Sequence, residues 1–421
     1  MYLRGSKWNL RQRRRRVNWF LVSVLVVLIL IVSYLDRFVI PTVEPPFLPS
    51  PTPTRPPESY VTDAEALVNE GKFSQAIDLY SEAILLDPDN ASLYIDIART
   101  QIFAGRYDDA IVNASNALLL NPDNSMAYAI RAWALTRKGE LDEADQVIQE
   151  ALRIDPGNGI AHAYYAILLG QMFEQNTGPY VDPLTDAIEE SKTALTLAPG
   201  TLEAHWARGY ILYITGNPEL AIEEYKKAIE INPNISQLHL ELGIAYRAVD
   251  QIEQALEEYN LANTLNPSDP LPDLYSSRAL AVIGKYAQAV QYAETALNDD
   301  PTDAYLRGNY AYMLYKKGDF GLAANQFTLV IYGGQTEDGQ TIEPLPISND
   351  DWVARYYYAY VVLLAELGRC DEVLTVTQTI LGALPDNEYA IYNTDYALSQ
   401  CALGTPTPAP SESQGEATPT P

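Results

Sequence analysis

Eight prolines pace this chain. They stand at 88, 122, 156, 199, 233, 267, 301 and 385, mostly after an apolar or acidic pair, as in LLDPDN, LLNPDN and EINPNI. The first six intervals are 34 residues, or 34 plus nine. The last, 84, holds two such periods and 16 residues more, which implies one repeat that ends without its proline near Gln335. A fixed period of this size marks stacked helical hairpins, each of which hides its apolar face only against its neighbours.

Small residues recur at fixed distances from these prolines. Twenty-four residues before come Ala64, Ala98, Ala132, Gly209, Gly243 and Ser277. Twelve before come Ala76, Ala110, Ala144, Ala187, Ala221, Ala255 and Ala289, and five before come Ala83, Ala117, Ala151, Ala194, Ala228, Ala262 and Ala296. The last two sets are seven apart, on one face of one helix, where small side chains admit the neighbouring helix closely. A glycine (Gly71, Gly105, Gly139, Gly216, Gly284, Gly318, Gly368) divides most repeats where the chain must turn.

This pattern resembles the tetratricopeptide repeat family over about residues 58–404. The resemblance implies an all-α, right-handed superhelical solenoid. The expected repeats are 57–90, 91–124, 125–158, 159–201, 202–235, 236–269, 270–303, 304–337 and 354–387. Extra residues near 174–183 and 336–351 read as surface loops, either functional or tolerated drift. Val330, Val361, Val373 and Ile380 replace small residues in the last two repeats, so packing there should differ. Residues 388–403 read as a solvated capping helix closed by Gly404. Cys370 opens the second helix of the ninth repeat and Cys401 ends the cap. Adjacent antiparallel helices bring such ends together, so a disulfide is expected, with two buried thiols as the alternative.

The formal charge of −27 hides a division. Residues 1–37 are +7, and residues 38–421 hold 20 basic against 54 acidic groups. Between the basic arm (1–16) and the remainder lie 19 uncharged residues, Val17 to Leu35, VNWFLVSVLVVLILIVSYL. They span about 28 Å as a helix, close to a bilayer's hydrocarbon thickness. The preceding cations should hold the N-terminus in the cytoplasm and place the remainder outside. The length of the run and the lack of a small-x-small site argue against a cleaved signal. A Pro/Thr-rich linker, 36–57, follows, with eight prolines between Pro41 and Pro57. The tail, 405–421, has the same character and is expected to be disordered.

The sequence carries no P-loop, GxSxG, HExxH or CxxC. His162, His205 and His239 occupy one position in three successive repeats, too far apart to share a metal, and read as a packing stripe. No catalytic site, metal or cofactor is expected, and the acidity argues against nucleic acid as a partner. The resemblance implies a concave groove lined by the first helix of each repeat. Its registered positions include Arg99, Trp133, Arg137, Trp206, Tyr210, Tyr213, Arg247, Arg278, Tyr312, Tyr315 and Tyr358. Family members that grip a C-terminal carboxylate use a Lys/Asn-rich set, which is missing here. The expected function is a membrane-tethered scaffold that binds a peptide or protein in an aromatic, mildly basic groove. A glycan or cell-wall binder and a non-catalytic subunit of a membrane enzyme complex are the alternatives.

Overall fold

The computed structural model describes residues 17–39, 55–336 and 339–404. The basic arm, the body of the proline-rich linker and the C-terminal tail lie outside the described residues. The chain divides into two units, with the boundary at Arg55.

In the first unit, α1 (Trp19–Tyr34) continues into a π-helical turn, Leu35–Val39. Asn18 caps its start by accepting a hydrogen bond from the Phe20 amide. Trp19–Phe38 is long and apolar enough to cross a membrane, with a mean hydropathy of 2.5, and none of it is buried. This helix ends three residues beyond the run expected at 17–35, because Asp36 and Arg37 are accommodated in the π turn.

The second unit contains nine helical hairpins among the described residues, followed by one closing helix. The first five pair α2 (Pro57–Asn69) with α3 (Phe73–Leu86), α4 (Ala91–Phe103) with α5 (Tyr107–Leu120) and α6 (Ser125–Lys138) with α7 (Leu141–Ile154), then α8 (Gly159–Gln175) with α9 (Pro183–Leu197) and α10 (Leu202–Ile214) with α11 (Pro218–Ile231). The next four pair α12 (Ser236–Ala248) with α13 (Ile252–Leu265), α14 (Leu271–Val282) with α15 (Tyr286–Asp299), α16 (Ala304–Lys317) with α17 (Phe320–Tyr332) and α18 (Asp351–Glu366) with α19 (Cys370–Ala383). The closing helix is α20 (Glu388–Gly404).

The periodic proline motif has a structural purpose at its third residue. Asn124, Asn158, Thr201, Asp303 and Asn387, each two residues after a proline, accept a hydrogen bond from the amide three residues on. The proline thus ends one helix and delivers the cap of the next. Four residues further on, a side chain returns to the carbonyl of the proline itself. Tyr94, His162, His205, His239 and Arg307 all make this contact, to Pro88, Pro156, Pro199, Pro233 and Pro301. The histidine stripe is therefore a row of polar pins, not apolar packing alone.

The alanines five and twelve residues before the first seven prolines are buried, among them Ala76, Ala83, Ala110 and Ala117. Where the dividing glycine is missing, Asn176 and Asp250 adopt positive φ of 51° and 58°, a conformation these two residue types tolerate. The nine extra residues of the fourth repeat are only partly loop. α8 reaches 17 residues, against 14 for α6, before the chain turns. The second insertion differs from the expected surface loop. It forms a short antiparallel pair, Gly334–Gln335 with Thr341–Ile342, and folds back so that Ile342 is buried. The Leu345 amide bonds the Val330 carbonyl at 2.8 Å, and the Tyr357 hydroxyl bonds the Leu345 carbonyl at 2.8 Å. Its residues 337–338 lie outside the described set.

Candidate partner-binding groove

The inner helices bring the predicted groove residues to three different environments. In the first, the groove is filled by the chain itself. Trp133 is 1% and Trp206 4% exposed. The Trp133 ring stacks on Tyr164 with centroids 4.6 Å apart and meets Trp206 edge-on at 5.9 Å. Arg99 forms an ion pair with Glu203, which is buried, and Tyr164 also points at that carboxylate. These contacts join the second and third hairpins to the fifth. The first hairpin completes the closure, because Asn234 Nδ2 donates to the Asn69 carbonyl at 2.7 Å. Gly71, at φ +73°, forms the turn there, and a Cβ on it would stand 2.8 Å from the Asn234 side chain. Expected as ligand anchors, Trp133 and Trp206 are core residues, because the solenoid winds tightly enough to close over them.

The second environment is a cleft of about 670 Å³ along the middle hairpins. Arg137, Tyr210, Tyr213, Arg247 and Arg278 line it, beside Glu174, Glu241 and Trp352. Tyr210 donates to Glu174, and Trp206 Nε1 donates to Glu241 at 2.8 Å. Burial pushes the Glu241 carboxyl above the usual carboxylate range, against the pull of Gln237 and Arg137. Arg278 is 3% exposed. Its guanidinium carbon lies 3.8 Å from the Trp352 ring centroid and 5.1 Å from that of Tyr305, an arrangement that favours a cation over the ring faces. It donates to Asn309 Oδ1 at 3.2 Å and to the Tyr356 hydroxyl at 3.0 Å. Arg278 is thus a clasp between the seventh, eighth and ninth hairpins rather than an open contact residue.

Trp352 is the wall between this cleft and the third environment. Its ring meets Tyr312 edge-on at 5.9 Å. Beyond it lies a trough of about 660 Å³ between α16, α18 and α20. Tyr312, Tyr315 and Tyr358 line one side, as the sequence register placed them. Tyr389, Tyr392 and Tyr396, from α20, line the same trough and were missed by reading α20 as a solvated cap. Their spacing carried the signal. In EYAIYNTDYALSQCAL, the small or polar Ala390, Thr394 and Ala397 recur at helical spacing and are fully buried, which turns the three tyrosines to the opposite side. Tyr389 is 74%, Tyr392 71% and Tyr396 41% exposed. Burial, with Glu366 nearby, pushes the Tyr315 hydroxyl up to about 12, so it stays protonated as a donor.

The trough's framework is held from behind. Tyr356 and Tyr360 of α18 are fully buried, with Val330, Val361, Val373 and Ile380 packed in the same apolar cluster. Gly308 makes room for this, since a Cβ there would collide with the Tyr356 ring. Cys370 and Cys401 are joined in a disulfide, with Cα atoms 5.6 Å apart, tying α20 to α19.

Comparison with known proteins identifies the repeat. Models described as tetratricopeptide repeat match residues 67–134, 104–171 and 277–337, and one described as TPR repeat matches 209–250. No curated protein matches the chain. Among solved structures, the crystal structure of the APC/C hetero-tetramer Cut9-Hcn1 is similar at 14% identity and a TM-score of 0.58, covering 89% of this chain and 82% of that one. PilF of Pseudomonas aeruginosa is 19% identical with a TM-score of 0.42, covering 55% of this chain and 95% of that one. The type IV pilus biogenesis factor PilW is 18% identical with a TM-score of 0.43, covering 49% of this chain and 91% of that one. The matched models all describe this one repeat, and none describes a catalytic family. Repeat period, hairpin architecture and family models agree: the chain belongs to the tetratricopeptide repeat family.

Proposed function

We propose that this protein is a membrane-tethered scaffold that binds a partner protein at the C-terminal end of its solenoid. The observation that carries the reading is the tyrosine-lined trough between α16, α18 and α20. Tyrosine gives large contact area and a hydrogen-bonding tip with only two side-chain torsions to fix, which suits it to recognition surfaces. Exposed aromatic area in a concave site on a rigid frame is the arrangement that partner binding uses. The neighbouring cleft, with Arg137, Tyr210, Tyr213 and Arg247, extends the contact surface toward the middle of the solenoid.

The tether in this reading is α1, with the basic arm in the cytoplasm and the solenoid outside. The apolar length of Trp19–Phe38 and the seven cations before the span support it. A reporter fused to the C-terminus and active only outside the cytoplasm, together with retention of the intact chain in carbonate-washed membranes, is expected. A chain released by the wash and shortened at its N-terminus would mean a cleaved leader and no tether. For the site, photocrosslinkers at Tyr392 in intact cells should capture one defined partner. A crosslinker at Tyr94, which bonds the Pro88 carbonyl on the first solenoid turns, should not. Equal capture at both positions would remove the assignment.

A further inference from the structure

The trough between α16, α18 and α20 has a chemistry of its own. The hydroxyls of Tyr312, Tyr315, Tyr389, Tyr392 and Tyr396 have no hydrogen-bond partner among the described residues. Asn349, Asn387 and Asn393 also line the trough, although Asn393 Nδ2 already donates to the Tyr389 carbonyl at 2.7 Å and Asn387 Oδ1 accepts from the Tyr358 hydroxyl. The tyrosine hydroxyls are therefore the donors left for acceptors that a ligand brings. Its charged groups are Asp351, Arg355 and Glu366, one cation against two carboxylates. Arg355 lies 5.2 Å from the Trp352 ring centroid, held against an aromatic face. Such a lining holds no cationic clamp for a phosphate or an acidic peptide, and the acidic exterior opposes both.

A proline-rich chain has the complementary chemistry. Proline lacks the amide donor, and in the polyproline II conformation the backbone carbonyls carry no internal hydrogen bonds. Each carbonyl is a free acceptor, and each ring is an apolar plate for an aromatic face. The conformation is also preformed, so binding costs little order. The spacing of the trough fits this helix. Tyr389 and Tyr396 are seven residues apart on α20, about 10.5 Å of rise. One turn of polyproline II, three residues, covers about 9.3 Å. The two tyrosines thus repeat at close to the pitch of the ligand, with Tyr392 between them.

We propose that the trough takes an uncharged, proline-rich segment of a partner protein in the polyproline II conformation. This rests on the reading of the trough as the partner site and narrows the ligand to one class. The test titrates full-length protein in detergent micelles with a labelled oligoproline peptide, followed by fluorescence anisotropy. Saturable binding is expected. Paired Tyr389→Ala and Tyr392→Ala should weaken it by about tenfold or more, the scale of losing buried aromatic anchors. The corresponding Tyr→Phe pair should cost only a few-fold, because stacking survives and the hydroxyl donors do not. Both positions are exposed, so circular dichroism should show unchanged helicity in each variant.

Absence of saturable binding overturns the proposal. So does equal binding of a peptide with glycine in place of proline, or preference for an acidic or basic peptide of the same length. A peptide of residues 405–421 that binds more tightly than oligoproline would name the chain's own tail as the occupant and overturn assignment to a partner. Affinity capture separates this failure from failure of the site. If the Tyr389/Tyr392 variant loses a partner that wild type recovers, while oligoproline does not bind, only the ligand class falls. If variant and wild type recover the same partners, the site itself falls.

Discussion

The two ends of the solenoid put the same repeat positions to opposite use. Around the second to fifth hairpins, the inner residues Trp133, Trp206, Tyr164 and Glu203 turn toward one another and are buried. Around the eighth and ninth hairpins and α20, the inner residues Tyr389 and Tyr392 are more than two-thirds exposed. The difference lies in curvature. Asn234 reaches Asn69 across 165 residues, so the first solenoid turn closes on itself and its concave face becomes a core. At the other end, Ile342 of the insertion and the large residues Tyr356 and Tyr360 are buried, while Tyr389 and Tyr392 stay exposed. A groove position in a solenoid thus has no fixed role until the winding is known.

Substitutions at the two ends should differ most in stability. Trp133→Ala should cost about 3–5 kcal/mol through loss of packing and the cavity left behind. Tyr392→Ala should change stability by less than about 0.5 kcal/mol. Denaturant unfolding monitored by circular dichroism separates the two, and similar losses would erase the contrast. Arg99→Ala is next in size. It strands the buried Glu203 carboxylate without its partner; because the Arg99 side chain is itself 42% exposed, the cost should fall below that of breaking a fully buried pair, at about 1–3 kcal/mol. Glu203→Gln in the same background should recover part of the loss.

Reducing the Cys370–Cys401 bond should act only at the open end. Its loop of 31 residues places the effect at about 2–4 kcal/mol, read as faster amide exchange in α19 and α20 with α4 to α11 unchanged. Slowed or unchanged exchange in α20 would remove the clamp from the account.

The solenoid up to its seventh hairpin should also carry a pH dependence of defined sign. His239 places Nδ1 2.6 Å from Glu258 and Nε2 2.8 Å from the Pro233 carbonyl, two acceptors that only an imidazolium can satisfy together. Burial opposes its protonation, but the Glu258 carboxylate outweighs it, and the pKa rises above 6.5. His162 is raised in the same way by Glu190 and the Pro156 carbonyl. Asp96 and Asp273 are pushed up by burial to about 6, with neighbouring Glu65 and Asp299 adding to the rise. Every one of these folded pKa values is raised. Their stabilisation is complete below the unfolded pKa and is lost as pH rises through the folded one. Melting temperature should therefore fall from pH 5 to pH 8, and Asp273→Asn should flatten part of that slope. A melting temperature that rises over this range would contradict the assignment.

The fold was largely legible because its rules are local. Proline spacing, buried alanines and turn glycines each report one hairpin and its nearest neighbour, and these define α2 to α19. Cys370 and Cys401 could be paired from the antiparallel order of adjacent helices for the same reason. The site was legible only in part. Tyr312, Tyr315 and Tyr358 line the open trough, whereas Trp133, Trp206 and Arg278 fell to the interior. What separates the two groups is contact between residues of distant repeats, Arg99 with Glu203 or Arg278 with Trp352, which no repeat period encodes. Tyr389, Tyr392 and Tyr396 were passed over because the cap was read for solubility, not for the face left by Ala390, Thr394 and Ala397.

The contrast between a closed and an open inner face is tested most directly by hydroxyl-radical footprinting of the full-length protein in micelles, read residue by residue. Rapid oxidation of Tyr389, Tyr392 and Tyr396, with Trp133 and Trp206 protected until the chain unfolds, is the predicted result. Oxidation of Trp133 and Trp206 in the native protein at rates comparable with the three tyrosines would contradict it.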